Sequence, residues 1–88
     1  MDYEWAPVKA ERNALKHGVF FEMAEGFDWN RATIMTDRRD DYGEPRFIAI
    51  GPIEARLHVL VFTPRGTKIR VISLRKANER EKLRYERS

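Results

Sequence analysis

An α+β fold is predicted for this chain: a four-stranded antiparallel β-meander with N-terminal helices packed on one face and a helix at the C-terminus. Three observations predict it. Short apolar runs of strand character follow one another in the second half, at Thr33–Thr36, Arg46–Ile50, Leu57–Thr63 and Ile69–Leu74. The last two flank Pro64-Arg65-Gly66-Thr67, a turn signal of hairpin length. Helix punctuation is confined to the ends, with Pro7 and Gly18 bracketing the first helix and an Asn78/Glu81 pair opening the last. Consecutive strands joined by short loops pair antiparallel, and helices cover the sheet they leave bare.

Each element has its own warrant. Tyr3-Glu4-Trp5 reads as a short edge strand, with Trp5 packed. Pro7 suits the first turn of a helix because its missing N–H has no partner there. That helix runs to about His17, with Val8 and Leu15 its thin apolar stripe, and Gly18 ends it behind the cations Lys16 and His17. A second short helix is expected from Phe21 to Phe27, with Phe20, Phe21, Met23, Ala24 and Phe27 inward. Thr33–Thr36 is a strand, followed by the charged loop Asp37–Gly43. Arg46–Ile50 is the next strand, closed by Gly51-Pro52. The final helix opens with a capping box at Asn78 and is so charged that only Leu83 and Tyr85 are large and apolar. Its poor apolar surface, like that of helix one, predicts that a partner covers at least one of them.

Eighty-eight residues form one domain, 1–88. With no cysteine there is neither a disulfide framework nor a thiolate zinc site. No apolar run approaches membrane-spanning length, and the chain reads as cytosolic with no membrane partner. The net charge of +3 conceals an asymmetry: residues 1–44 hold six Lys/Arg against ten Asp/Glu, and residues 45–88 hold eleven against four, so −4 and +7 sum to +3. Ala55–Asn78 contains six cations (Arg56, Arg65, Lys68, Arg70, Arg75 and Lys76) and no acid. A basic hairpin attracts an anionic partner, and nucleic acid is the first candidate.

Metal ligation finds no support, since His17 and His58 are far apart in different elements, and no cofactor motif is present. Arg70 lies mid-strand with Lys68 on its face, and Arg65 and Arg75 at the strand's two ends. Arginine grips phosphate with a planar fork, so this group suits an RNA or DNA backbone. His17 titrates near neutrality and serves equally as a general base or as a cation at a helix C-terminus. Glu22 stands beside Phe20 and Phe21 and is either a second candidate base or a surface glutamate. Metal-free RNA cleavage needs a base for the 2′-hydroxyl, cations for the phosphorane and an acid for the leaving oxygen. These residue types are present.

Taken together, Trp5, Lys9, Asn13, Lys16-His17-Gly18-Val19, Phe21-Glu22 and Ala24 resemble the BrnT family of toxins from bacterial type II toxin–antitoxin systems. The resemblance continues through Gly43-Glu44, Arg46, Ile50-Gly51, Val61-Phe62-Thr63 and Arg65-Gly66. It ends in Ile69-Arg70-Val71-Ile72-Ser73, Arg75-Lys76-Ala77, Glu81 and Tyr85, so it spans nearly the whole chain. It implies a RelE-like, metal-independent ribonuclease that arrests translation and is neutralised by a ribbon-helix-helix antitoxin of BrnA type in a hetero-oligomer. Promoter DNA would be bound only through that complex. Glu22, His17, Arg70, Arg65 and Tyr85 would be catalytic, and Arg46, Lys68, Arg75, Lys76 and Trp5 would bind RNA. Ala6, Phe20 and Leu74 depart from the family pattern at two helix caps and beside Ser73. Two alternatives stay open on the residues: a non-catalytic nucleic-acid or acidic-peptide module, and an attenuated toxin kept for repression with its partner.

Overall fold

The computed structural model describes residues 1–88. In chain order it contains β1 (Asp2–Glu4), α1 (Pro7–His17), two 3₁₀ helices (Phe21–Gly26 and Trp29–Arg31), β2 (Thr33–Thr36), β3 (Phe47–Ile53), β4 (Arg56–Arg65), β5 (Lys68–Lys76) and α2 (Glu79–Arg87). These make an α+β fold, but the expected four-stranded antiparallel meander is incomplete. The sheet has five strands in the order β1-β5-β4-β3-β2, and β1 joins β5 in parallel. The N-terminal strand can do so because residues 5–67 lie between the two strands, ample chain for the long connection that parallel neighbours require.

One face of the sheet carries the main core, built from Val19, Phe21, Ala24, Phe27, Ala49, Ile53, Leu60, Phe62, Val71 and Leu74. Trp29 sits edge-on to both Phe27 and Phe62, with ring centroids at 4.9 and 5.2 Å, and donates its indole N–H to the Tyr3 hydroxyl at 2.8 Å. On the other face a small cluster of Ile50, Val59 and Ala77 is partly covered by Tyr85 of α2. Leu74 is fully buried in the main core, so it packs and does not crowd the opposite face.

Several boundaries differ from the sequence reading. The hairpin turn is tighter than Pro64–Thr67: Arg65 pairs with Lys68, leaving Gly66-Thr67 as a two-residue turn with Gly66 at φ +59°. Pro64 fits within β4 because β3 pairs no further than Phe62 there, and no neighbour needs the missing N–H. Strand β3 does not stop at Gly51-Pro52 but runs to Ile53, since β2 has already ended opposite Ile50. At Gly51 a Cβ would meet the Phe27 ring at 2.9 Å and the Ala32 side chain at 3.1 Å, so close packing of the 3₁₀ segment on the sheet requires glycine. The segment Phe21–Gly26 is 3₁₀ and not α-helical, and its expected inward residue Phe20 is 60% exposed. Neither α1 nor this segment has a side-chain cap at its start, consistent with Ala6 and Phe20 at those positions. In contrast, the Asn78/Glu81 capping box forms in full.

The buried face of α1 is not the Val8/Leu15 stripe. Asn13 is buried and Ala10 packs against the core, while Val8 and Leu15 point to solvent. Small residues let the helix approach the β5 edge closely. The Asn13 side chain then replaces a neighbouring strand: its Nδ2 donates to the Leu74 carbonyl at 2.7 Å, and its Oδ1 accepts from the Leu74 N–H at 3.2 Å. The same Nδ2 donates to the Val19 carbonyl at 3.0 Å, tying the chain after α1 to the helix. No helix of the chain is long and apolar enough to cross a membrane.

Candidate functional site

The geometry of the site begins with an irregularity in β5. Val61 pairs with Ser73, but the next residue, Phe62, pairs with Val71, so Ile72 is an extra residue in the strand. Strict alternation would send Arg70 and Arg75 to opposite faces of the sheet. With the bulge between them, Arg70 opposes Thr63, Ser73 opposes Val61 and Arg75 opposes Val59. Those three β4 residues share one face, and therefore so do Arg70, Ser73 and Arg75. This is the face opposite the main core.

Cations gather at the hairpin end of that face. Arg65 stands directly across from Lys68, two like charges whose proximity is unfavourable without an anion. Glu44 is 3.4 Å from the Arg46 guanidinium and 3.6 Å from that of Arg65, and Arg46 also lies 4.0 Å over the Tyr42 ring. Arg70 donates to Glu4 at 2.6 Å across the β1–β5 pair. At the α2 end, roughly 16 Å along β5 at about 3.3 Å per residue, lies a groove of about 220 Å³. Met35, Ile48, Val59 and Val61 contribute to its apolar floor, and Arg39, Arg75 and Arg84 stand over it with Glu81 and Ser73. Arg75 grips Glu81 through both terminal nitrogens, at 2.8 and 2.7 Å, which raises the guanidinium pKa and lowers that of the carboxyl. Arg39 holds the buried Asp37 in the same two-pronged way, and that hydrogen bonding keeps the Asp37 carboxyl far below its usual range. Each predicted phosphate-binding arginine is thus paired with a carboxylate before any ligand arrives, which fixes its orientation. Lys68 and Lys76 make no ion pair.

Ser73 also lines a second groove, of about 340 Å³, with His17, Lys16, Asn13, Arg12, Lys9 and Ile72. The His17 groove therefore meets the Arg75 groove at Ser73. Partial burial, then the charges of Lys16 and Arg75, lower its pKa and leave a neutral imidazole at neutral pH.

The remaining predicted residues lie elsewhere. Glu22 is exposed and lines a third groove with Lys76, Arg56 and His58, on the side of the main core, and the structure does not bring it to Arg70. Tyr85 donates its hydroxyl to the Arg31 carbonyl at 2.5 Å and anchors α2. Trp5 packs edge-on against Phe21 with centroids at 5.9 Å, as part of the core. Sequence reasoning missed Arg39, Arg84 and Ser73 as members of the site. Arg84 had one signal, its position three residues after Glu81 on the same helix face; Ser73 had another, its place in the Ile69–Ser73 block of the resemblance, and Arg39 had none.

His58 is buried, at 2% exposed, and donates Nδ1–H to the Arg56 carbonyl at 2.8 Å, while its Nε2 has no partner. Burial, then the nearby Lys76 and Arg56 charges, lower its pKa, only partly opposed by that hydrogen bond. The folded protein thus resists a proton that the unfolded chain accepts. Stability is expected to fall as pH drops from 6.5 towards 5, by at most about 1.4 kcal/mol per pH unit. Thermal melts over that range should fall more steeply for wild type than for His58→Leu, whose remaining slope comes from His17; parallel curves would refute it.

The family model described as the ribonuclease toxin, BrnT, of a type II toxin–antitoxin system matches residues 5–81. No curated protein matches the chain. The matched span includes α1, the bulged β5 and every residue of both Ser73-lined grooves except Arg84, and on that breadth the chain belongs to the BrnT family of ribonuclease toxins.

Proposed function

We propose that this protein is a metal-independent endoribonuclease that arrests translation in the cytoplasm and is held inactive by a BrnA-like ribbon-helix-helix antitoxin. The observation that carries the reading is the alignment of Arg70, Ser73 and Arg75 on one sheet face by the β5 bulge, with a neutral His17 beside Ser73. RNA lies across this face, its backbone tracked by Arg46, Arg65, Lys68 and Arg70. The scissile phosphate sits over the α2-end groove, where Arg75 and the free guanidinium of Arg84 meet the charge that develops on phosphorus. His17 removes the 2′-hydroxyl proton, and the 2′-oxygen attacks the adjacent phosphorus. The bond to the 5′-oxygen breaks, leaving a 2′,3′-cyclic phosphate, while a solvent proton completes the 5′-hydroxyl. Arginines released from Glu4, Glu44 and Glu81 as phosphate arrives exchange one anion for another, so the electrostatic change on binding is smaller than their number suggests.

With the antitoxin the toxin forms a hetero-oligomer, and promoter DNA is contacted by the antitoxin's ribbon-helix-helix element, not by this chain. The test is incubation of purified protein with a defined RNA in EDTA, with product ends read by mass spectrometry. New fragments ending in 2′,3′-cyclic phosphate are expected, and Arg70→Ala should suppress them. Intact RNA that binds with a steep salt dependence, both free and on ribosomes, would replace this reading with a non-catalytic binding module.

A further inference from the structure

The outward crest of α1 does not fit either a solvated helix or an RNA track. Leu15 is 83% exposed and Val8, seven residues earlier on the same face, is 59% exposed; Phe20, just past the helix, is 60% exposed. Beside this apolar crest run Lys9, Arg12 and Lys16, none of which has an ion-pair partner in the fold. The arginines of the sheet face are by contrast all locked to carboxylates except Arg84. The three free cations border the groove between α1 and the β5 edge, where Ile72 is the unpaired bulge residue. Phosphate alone would need the cations but not the aliphatic crest. A protein segment carrying acids along one flank and apolar side chains along the next would satisfy both.

We propose that α1 and this groove are the docking surface for an acidic amphipathic segment of the antitoxin, which neutralises the toxin by covering His17. The inference rests on the toxin–antitoxin reading above and assigns the place and the means of inhibition. The apolar side chains of the segment pack on Val8, Leu15 and Phe20, and its carboxylates pair with Lys9, Arg12 and Lys16. Because His17 and Ser73 line the same groove, a segment seated there shields the base and obstructs the approach to the Arg75 groove. Neutralisation is then steric and electrostatic at once, without any rearrangement of the sheet.

The experiment uses the full chain, the antitoxin encoded beside it and a defined RNA. Val8→Ser with Leu15→Ser changes only exposed side chains that line neither groove and is expected to leave RNA cleavage intact. Antitoxin affinity should weaken at least 30-fold, so that the variant cuts RNA at antitoxin concentrations that silence the wild type. Hydrogen exchange on the wild-type complex should show protection over residues 8–20. Equal neutralisation of variant and wild type, or no protection of α1, would overturn the docking site while leaving the toxin–antitoxin reading standing. A variant that loses RNA binding but keeps antitoxin affinity would assign the groove to RNA and overturn it equally. A wild-type protein that cuts RNA but never binds the antitoxin would remove the underlying reading itself.

Discussion

Replacing Arg75 by alanine is expected to lower the rate of RNA cleavage by roughly two to three orders of magnitude, the loss that follows removal of one donor aimed at transition-state charge. The guanidinium is not needed for folding in the same degree. Its partner Glu81 keeps a second role, accepting the Asn78 N–H at 2.9 Å in the α2 capping box, so the helix start survives. The melting temperature should therefore move by only a few degrees, because a pair at the protein surface, its side chains 32% and 20% exposed, contributes about 1 kcal/mol. Two further readouts separate a catalytic from a merely structural role. Arg75→Lys retains charge but not the two-pronged fork, and should recover only part of the rate. Arg75 also lowers the His17 pKa, so its removal raises that pKa and the acidic limb of the pH–rate profile should move to higher pH. An Arg75→Ala enzyme with an unchanged rate and an unshifted limb would displace the reaction from this groove.

The identities of the cations were legible in the sequence; their arrangement was not. Alternation applied to Ile69–Lys76 puts Arg70 and Arg75 on opposite faces, and nothing in Val71-Ile72-Ser73 announces an extra residue, since no glycine or proline marks it. The bulge follows from fitting Val71 and Leu74 into one core although they are three positions apart. The parallel fifth strand escaped for a related reason: Asp2–Glu4 is too short to show a period, and its pairing with Lys68–Arg70 is set at a distance by where α1 returns the chain. Helix ends, in contrast, were readable because capping is local, as at Pro7, Gly18 and Asn78. Val8 and Leu15 mislead as markers of the buried face of α1, because the contact is made through Ala10 and Asn13. Val8 and Leu15 are then conspicuous for being exposed, and that reversal is what draws attention to the helix as a docking surface.

The asparagine leads to the second large effect. Asn13→Ala is expected to destabilise the domain by roughly 2–4 kcal/mol, from the loss of three buried hydrogen bonds and the exposure of unsatisfied groups at Leu74 and Val19. For a domain of this size that corresponds to a drop in melting temperature of roughly 10–20 °C. No other strand reaches this part of the β5 edge, because β1 ends its pairing at Arg70, so no neighbour can take over the Leu74 peptide. Asn13→Asp should be at least as harmful at neutral pH, since it points an oxygen at the Val19 and Leu74 carbonyls where an amide hydrogen had been. Acidification should relieve part of that loss, as a protonated carboxyl regains one donor, and this reversal of the usual pH trend would distinguish a hydrogen-bond defect from a simple cavity. A melting temperature within a few degrees of wild type for Asn13→Ala would show that α1 is held to the sheet without these hydrogen bonds, by packing such as that of Ala10. Should the large effect be found, Asn13 also explains how a helix with so little apolar contact keeps His17 beside Ser73: the helix is registered to the bulged strand by the backbone N–H and C=O of one residue, Leu74. The site and the proposed docking surface then depend on the same three hydrogen bonds.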